Sequence, residues 1–337
     1  MRKYLNRSIF YQGDANIILP LVACYIGAFI FQSTIINKWF GYLKYQVLYT
    51  TTEKYLSSSN DIFILLLLVL YLSIIYMISV GIFKRKKWST LLSGPFSKKD
   101  IRRRELILVI MSTMVFFIIY YILIISGYIR NSELISYLNV FNNVIILDFI
   151  RMFSISILVI GGLFFLDSLF SNLYMLIFSV VFIGIYSITL ILNIEFLFNY
   201  YIRFNSIVKP ITNFIFNYNY YNTKIIEFFT VAIMIILIGI ILGLISSLLT
   251  NKIKVENMTN GIMFKIPKKV GLFMIYTFNG LLLSPFIVET INVNLFYSSM
   301  DRNVILIIGI ICIIVLSVIS YFIVRKIKGK RKSGLIT

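Results

Sequence analysis

Eight apolar runs, each about as long as a bilayer is thick, constrain this chain more than any other feature. They cover residues 17–36, 62–83, 106–128, 145–166, 172–194, 226–250, 271–291 and 303–325. A helix rises about 1.5 Å per residue, so about 20 residues cross the roughly 30 Å hydrocarbon layer. Within lipid the backbone must satisfy its own hydrogen bonds, which leaves only helices and closed barrels. The alternation of a barrel strand is absent. The expected fold is therefore all-α, a polytopic transmembrane helix bundle of about eight spans. Composition agrees: 13% of residues are charged and 59% hydrophobic, whereas soluble domains carry about 25% charged residues.

Charge sets the expected orientation. With the N-terminus inside, the inside segments hold 23 of the 32 Lys and Arg residues, the outside segments hold 8, and Arg151 lies within the fourth run. This bias places both termini in the cytoplasm. Leu166–Ser171, between the fourth and fifth runs, has no basic residue. Those runs read either as two full spans or as one re-entrant hairpin, and the parity of the chain is the same in both cases. The formal charge of +19 raises the question of nucleic acid. The basic residues flank the runs, and no nucleic-acid-binding motif accompanies them, so no nucleic-acid partner is expected. The first run starts about sixteen residues in and lacks a small-residue cleavage site, so it reads as a retained span. Cys24 and Cys312 both lie in apolar runs and read as small core residues. Richness in Ile, Asn, Tyr and Lys points to an AT-rich bacterial genome, and hence to a bacterial cytoplasmic membrane.

The most charged stretch is Lys84–Glu105, KRKKWSTLLSGPFSKKDIRRRE, between the second and third runs. Nine of its residues are Lys or Arg. Between the basic blocks stand Trp88, Leu91, Leu92, Pro95 and Phe96, which a merely solvated loop does not need. Two readings follow from composition: an element that touches another protein, or an anchor lying on lipid headgroups.

The segment Leu91-Leu92-Ser93-Gly94-Pro95-Phe96-Ser97-Lys98-Lys99-Asp100-Ile101 resembles the first cytoplasmic loop of ABC-2 transporter permeases, and it occupies the same place after the second span. The resemblance covers the first six spans in topology and one loop in motif. It implies that Trp88, Leu91, Leu92, Pro95, Phe96, Lys98 and Asp100 couple the chain to a separate ABC ATPase subunit, present in two copies. It implies a homodimer, or a heterodimer with a related permease, and transport by alternating access. On that division, residues 1–250 form a six-span core, and 251–337 add a loop and two further spans. Asn251–Gly271 loosely resembles a stretch in Gram-positive permeases for envelope-active peptides or phenol-soluble modulins, through Glu256, Asn260, Gly261, Ile262, Phe264, Lys265, Pro267 and Val270. The family also implies an amphipathic elbow, which Met1–Gly13 would supply. It further implies short outer helices in Asn193–Lys224, where aromatic residues cluster around Pro210. An interfacial aromatic belt explains much of that clustering equally well.

Chemistry-bearing motifs are scarce. Gly329-Lys330-Arg331-Lys332 lacks the spacing of a phosphate-binding loop. No histidine is present, and no hydrolase or metalloprotease signature occurs. The expectation is a permease subunit that is not itself an enzyme and holds no cofactor or metal, with ATP and Mg bound by the partner ATPase.

Asp148 and Arg151, spaced i, i+3, share one face of the fourth span. They read either as a local ion pair near the headgroups or as the lining of a path, with Glu227 and Glu289 near the same end. Gly239-x-x-x-Gly243, continued by Ser246 and Ser247, is a small-residue face that lets helices approach, and Gly161-Gly162 does the same for the fourth span. A bundle this apolar suits an amphipathic or lipid-like cargo. The first choice is a secreted cytolytic or antimicrobial peptide, and the second a lipid-linked glycan. The competitors from another class are a membrane sensor and a membrane-embedded transferase. The first would normally show a soluble domain, and the second lacks the expected acids and bases.

Overall fold

The computed structural model describes residues 15–49, 62–82, 98–133, 141–170, 173–198, 210–215, 224–252, 262, 264–296 and 301–333. Eight long helices run in order: α1 Ala15–Tyr49, α2 Ile62–Tyr76, α3 Lys98–Arg130, α4 Phe141–Leu169, α5 Leu173–Phe198, α6 Ile225–Lys252, α7 Lys265–Phe296 and α8 Arg302–Ser333. Met77–Ile82 continues α2 as a π-helical turn, and a helical turn occupies 210–215. All eight long helices are apolar enough to span a membrane. The protein is a multi-pass membrane protein. The fourth and fifth runs form separate helices of 29 and 26 residues, each long enough to cross alone.

Lipid as solvent explains which residues face outward. In α2, Ile64, Leu65, Leu68, Tyr71, Leu72, Ile75 and Tyr76 are buried, a stripe at helical spacing. Phe63, Leu66, Leu70 and Ile74, on the other face, are exposed although equally apolar. In water such a surface would drive association, whereas acyl chains solvate it.

The helices gather into two compact units. The first comprises Met1–Leu176 and Pro210–Gly261, and the second Ile177–Lys209 and Ile262–Thr337. Residues 177–209 thus group with the last two helices.

In the first unit the most extensive pairing joins α4 to α6, followed by α1 with α3 and α2 with α4. Glycine permits the α4–α6 approach. A Cβ at Gly239 would lie 2.7 Å from the Ile157 carbonyl oxygen, and one at Gly161 would run into the Gly239 backbone. Backbone cannot swing aside as a flexible side chain can, so these two positions fix the seam. Gly243 and Gly162 face open space. The small-residue face predicted in α6 therefore contributes Gly239, and its partner is Gly161. Near one end of α1, Trp39 stacks on Phe141 at 5.6 Å, and Phe40 sits over Gly127.

The second unit contains a proline whose cost can be traced. Pro285 lies inside α7. Proline has no N–H to donate to the carbonyl four residues earlier, here that of Leu281. Asn193 Nδ2 of α5 donates to this Leu281 oxygen, and Ser284 Oγ donates to Asn193 Oδ1 at 3.0 Å. Tyr186 and Thr277 share a further hydrogen bond, and Asn279 Nδ2 donates to Ser320 Oγ of α8. Asn193→Leu keeps the volume and strands both the carbonyl and Ser284. The expected loss is about 1–3 kcal/mol of stability, read by thermal unfolding in detergent. An unchanged melting temperature would mean that the carbonyl needs no such partner.

Candidate functional site

The site lies where α2 ends and α3 begins, at the two ends of the 83–97 segment. The residues that carry it are charged, buried and gathered from four elements. The first turns of α3 read KKDIRRRE. Ile101, Arg104 and Glu105 are buried, Arg102 is nearly so, and Arg103 is exposed. The second basic block, read from the sequence as part of a loop that either touches another protein or lies on headgroups, therefore turns part of itself into the bundle.

Arg102 is the hub. Its Nη1 donates to Glu105 Oε2 at 3.0 Å, one turn along the same helix, and to Asp167 Oδ2 of α4 at 3.1 Å. Its Nη2 donates to the Phe164 carbonyl at 2.6 Å and to Ser246 Oγ of α6. Ser246 Oγ in turn donates to the same Phe164 carbonyl at 2.7 Å. The guanidinium also lies 4.1 Å from the centre of the Phe164 ring. Tyr76, the last residue of α2 before its π-helical turn, meets that ring edge-on at 5.3 Å and 81°. Arg102 keeps 12% side-chain exposure, while Glu105 and Asp167 keep 1% each.

Physical chemistry explains the residue types. A buried charge is costly unless it is paired and hydrogen-bonded. Only arginine presents several donors in a rigid planar fork, which lets it serve two carboxylates, a carbonyl and a hydroxyl at once while stacking on an aromatic ring. Arg104, also buried, lies two residues further along the same helix. The knot thus ties α3 to α4 and α6, with Tyr76 bringing in the end of α2. Its evident capacity is mechanical: it holds both stems of the 83–97 segment against the ends of α4 and α6. The π-helical turn Met77–Ile82 adds to the local irregularity, and such turns recur at functional positions.

The other predicted residues fall as follows. Trp88, Leu91, Leu92, Pro95 and Phe96 lie outside the described residues. Lys98 and Asp100 belong to the first turn of α3. Asp148 and Arg151 are both fully buried on one face of α4. Arg151 Nη2 donates to the Ile215 carbonyl at 2.7 Å. It thereby caps the helical turn at 210–215, whose Phe214 packs on Phe228 at 4.8 Å. That turn is the described part of the aromatic stretch where short helices are expected. Sixteen residues separate Arg151 from Asp167, roughly 24 Å along α4, so the two charged groups serve different levels of the bundle. Glu227 pairs with Lys224 at 3.4 Å, largely exposed, a contact of small energetic weight. Glu289 is exposed and belongs to the second unit. Among the described residues no group of His, Cys, Asp and Glu could hold a metal ion.

Sequence alone does not single out Asp167 or Tyr76, and it places Arg102 and Glu105 in a surface loop. The available signal is a lone aspartate just past the end of the fourth apolar run and an Arg-x-x-Glu one turn into α3. Neither shows its partner without the fold. Comparison with protein-family models, curated proteins and solved structures finds no match.

Proposed function

We propose that this chain is the membrane-spanning permease subunit of an ABC exporter in the bacterial cytoplasmic membrane, driven by separate ATPase subunits. The observation that carries this reading is the buried Arg102 knot at the base of the 83–97 segment. A segment that only kept a loop soluble would need no such tie between its stems and two further spans. A segment that receives a push from a partner needs one, because force on it must reach α4 and α6 without loss. The loop's resemblance to ABC-2 coupling loops supplies the partner's class. The apolar outer surface and the scarcity of charge favour an amphipathic peptide as cargo.

On this reading ATP closes the ATPase pair, the 83–97 segment shifts, and the knot carries the shift into α4 and α6. Such coupling requires that the ATPase bind the two states with different affinity. The expected result is that the chain co-purifies with a stand-alone ABC ATPase of the same genome. Inverted vesicles holding both should accumulate a labelled amphipathic peptide only with ATP. A complex that forms with no such ATPase, together with vesicles that never respond to ATP, would remove this reading.

A further inference from the structure

We propose that the groove between α1 and α2 is a binding site for one anionic membrane phospholipid, its acyl chain lying along the groove and its head on Lys38. The inference stands apart from the exporter reading and holds whether or not the chain transports anything.

The groove has a volume of about 1030 Å³ and is lined by α1 from Cys24 to Tyr42 and by α2 from Phe63 to Ile74. That is as large as the largest typical small-molecule sites, which run from about 300 to 1,000 Å³. From Cys24 to Lys38 the helix rises roughly 21 Å, more than the roughly 15 Å apolar half of a bilayer, so a full acyl chain fits. Exposed Phe31, Leu66 and Leu70 border it, and a chain can enter sideways from the bilayer.

Its polar groups are turned away or placed at one end. Tyr71 donates its hydroxyl to the Ser112 carbonyl at 2.7 Å, and Thr34 donates to the Ile30 carbonyl at 3.0 Å. Neither hydroxyl proton is left for a ligand, and the middle of the groove is apolar in effect. Lys38 is the one charged residue of the described lining. It lies just beyond the apolar run 17–36, beside Trp39 and Tyr42, residue types suited to the interface. Among the described residues no carboxylate pairs with it. A greasy trough ending in one cation is complementary to an anionic head on an apolar tail. It offers a sugar no row of polar partners, and a zwitterionic head no anion for its positive group.

Gly27 provides the steric test. It lines the groove, and a Cβ there meets nothing within 4 Å. Gly27→Phe therefore projects a ring into the trough from a position where the added Cβ meets no neighbour. The experiment is native mass spectrometry of the full chain released from nanodiscs containing equal phosphatidylglycerol and phosphatidylcholine. The parent should carry one tightly held lipid, with phosphatidylglycerol preferred. Lys38→Ala should cut that preference roughly tenfold, the scale of one charge-assisted contact. Gly27→Phe should abolish retention of both lipids while the protein still inserts and unfolds in a single cooperative transition. Lys44→Ala, an exposed α1 lysine off the groove, should change nothing. The proposal is overturned if the parent carries no lipid, if Gly27→Phe retains it, or if Lys44→Ala matches Lys38→Ala. A protein purified from cells with an amphipathic peptide in place of lipid would overturn it too.

Discussion

Replacing Asp167 by alanine is expected to cost the detergent-solubilised protein about 3–5 kcal/mol of stability, the scale seen when one partner of a buried ion pair is removed. Arg102 would then have one carboxylate where it now has two and would lose its ion pair across to α4. Membrane insertion should be unaffected, because the change makes α4 more apolar. A double-mutant cycle with Arg102→Gln and Asp167→Asn should show coupling of about 0.5–3 kcal/mol, as expected for groups in one network. Strictly additive losses would show that the contact at 3.1 Å carries no energy of its own. Arg102→Lys separates holding from transmitting. A lysine keeps the charge but has no fork, so it cannot reach both carboxylates, the Phe164 carbonyl and Ser246 together. On the proposed reading this variant keeps most of its stability yet loses substrate-stimulated ATP hydrolysis by the complex.

The spans are legible in the sequence because length and apolarity alone decide them. The faces are not. In α2 the inward Leu68 and the outward Leu66 are the same residue type, since lipid and protein interior are similar solvents, and hydrophobic periodicity carries no information there. Small residues are legible as a class but not as a register. Of Gly239 and Gly243, one touches the Ile157 carbonyl and the other faces open space, and which it would be depends on the partner helix. The charged knot is hidden for a related reason. Lys, Arg and Glu near the end of a span ordinarily reach the interface, so KKDIRRRE reads as surface. Only the approach of Asp167 and Ser246 from two other helices offsets the burial of Arg102. Asn193 escapes notice because it answers Pro285, ninety-two residues later. By contrast, the Asp148–Arg151 spacing is local, so their sharing a face follows from helical geometry, while the burial of that face comes only from the fold.

The loop itself supplies the second large expected effect. Leu91, Leu92 and Phe96 form, on the proposed reading, the apolar knob that enters a groove on the ATPase. Pro95 suits the start of the short element that presents them, since its fixed φ fits a first helical turn. Buried apolar anchors can contribute about 2 kcal/mol or more to binding, roughly thirtyfold in affinity. Phe96→Ala alone should therefore lower ATPase retention by about that factor, and the triple change to alanine should abolish it in a pull-down. Lys98 belongs to a different part of the contact. As a rim charge it should govern association rate and salt dependence, so Lys98→Ala should matter at low salt and fade at high salt. Neither change touches the spans or the Arg102 knot, so both variants should insert and melt like the parent. That separates docking from the knot: a knot variant binds the ATPase but fails to respond, whereas a knob variant responds to nothing because it does not bind. If the triple alanine variant retains the ATPase as well as the parent does at both salt concentrations, this loop is not the docking element, and the knot beneath it serves the fold alone.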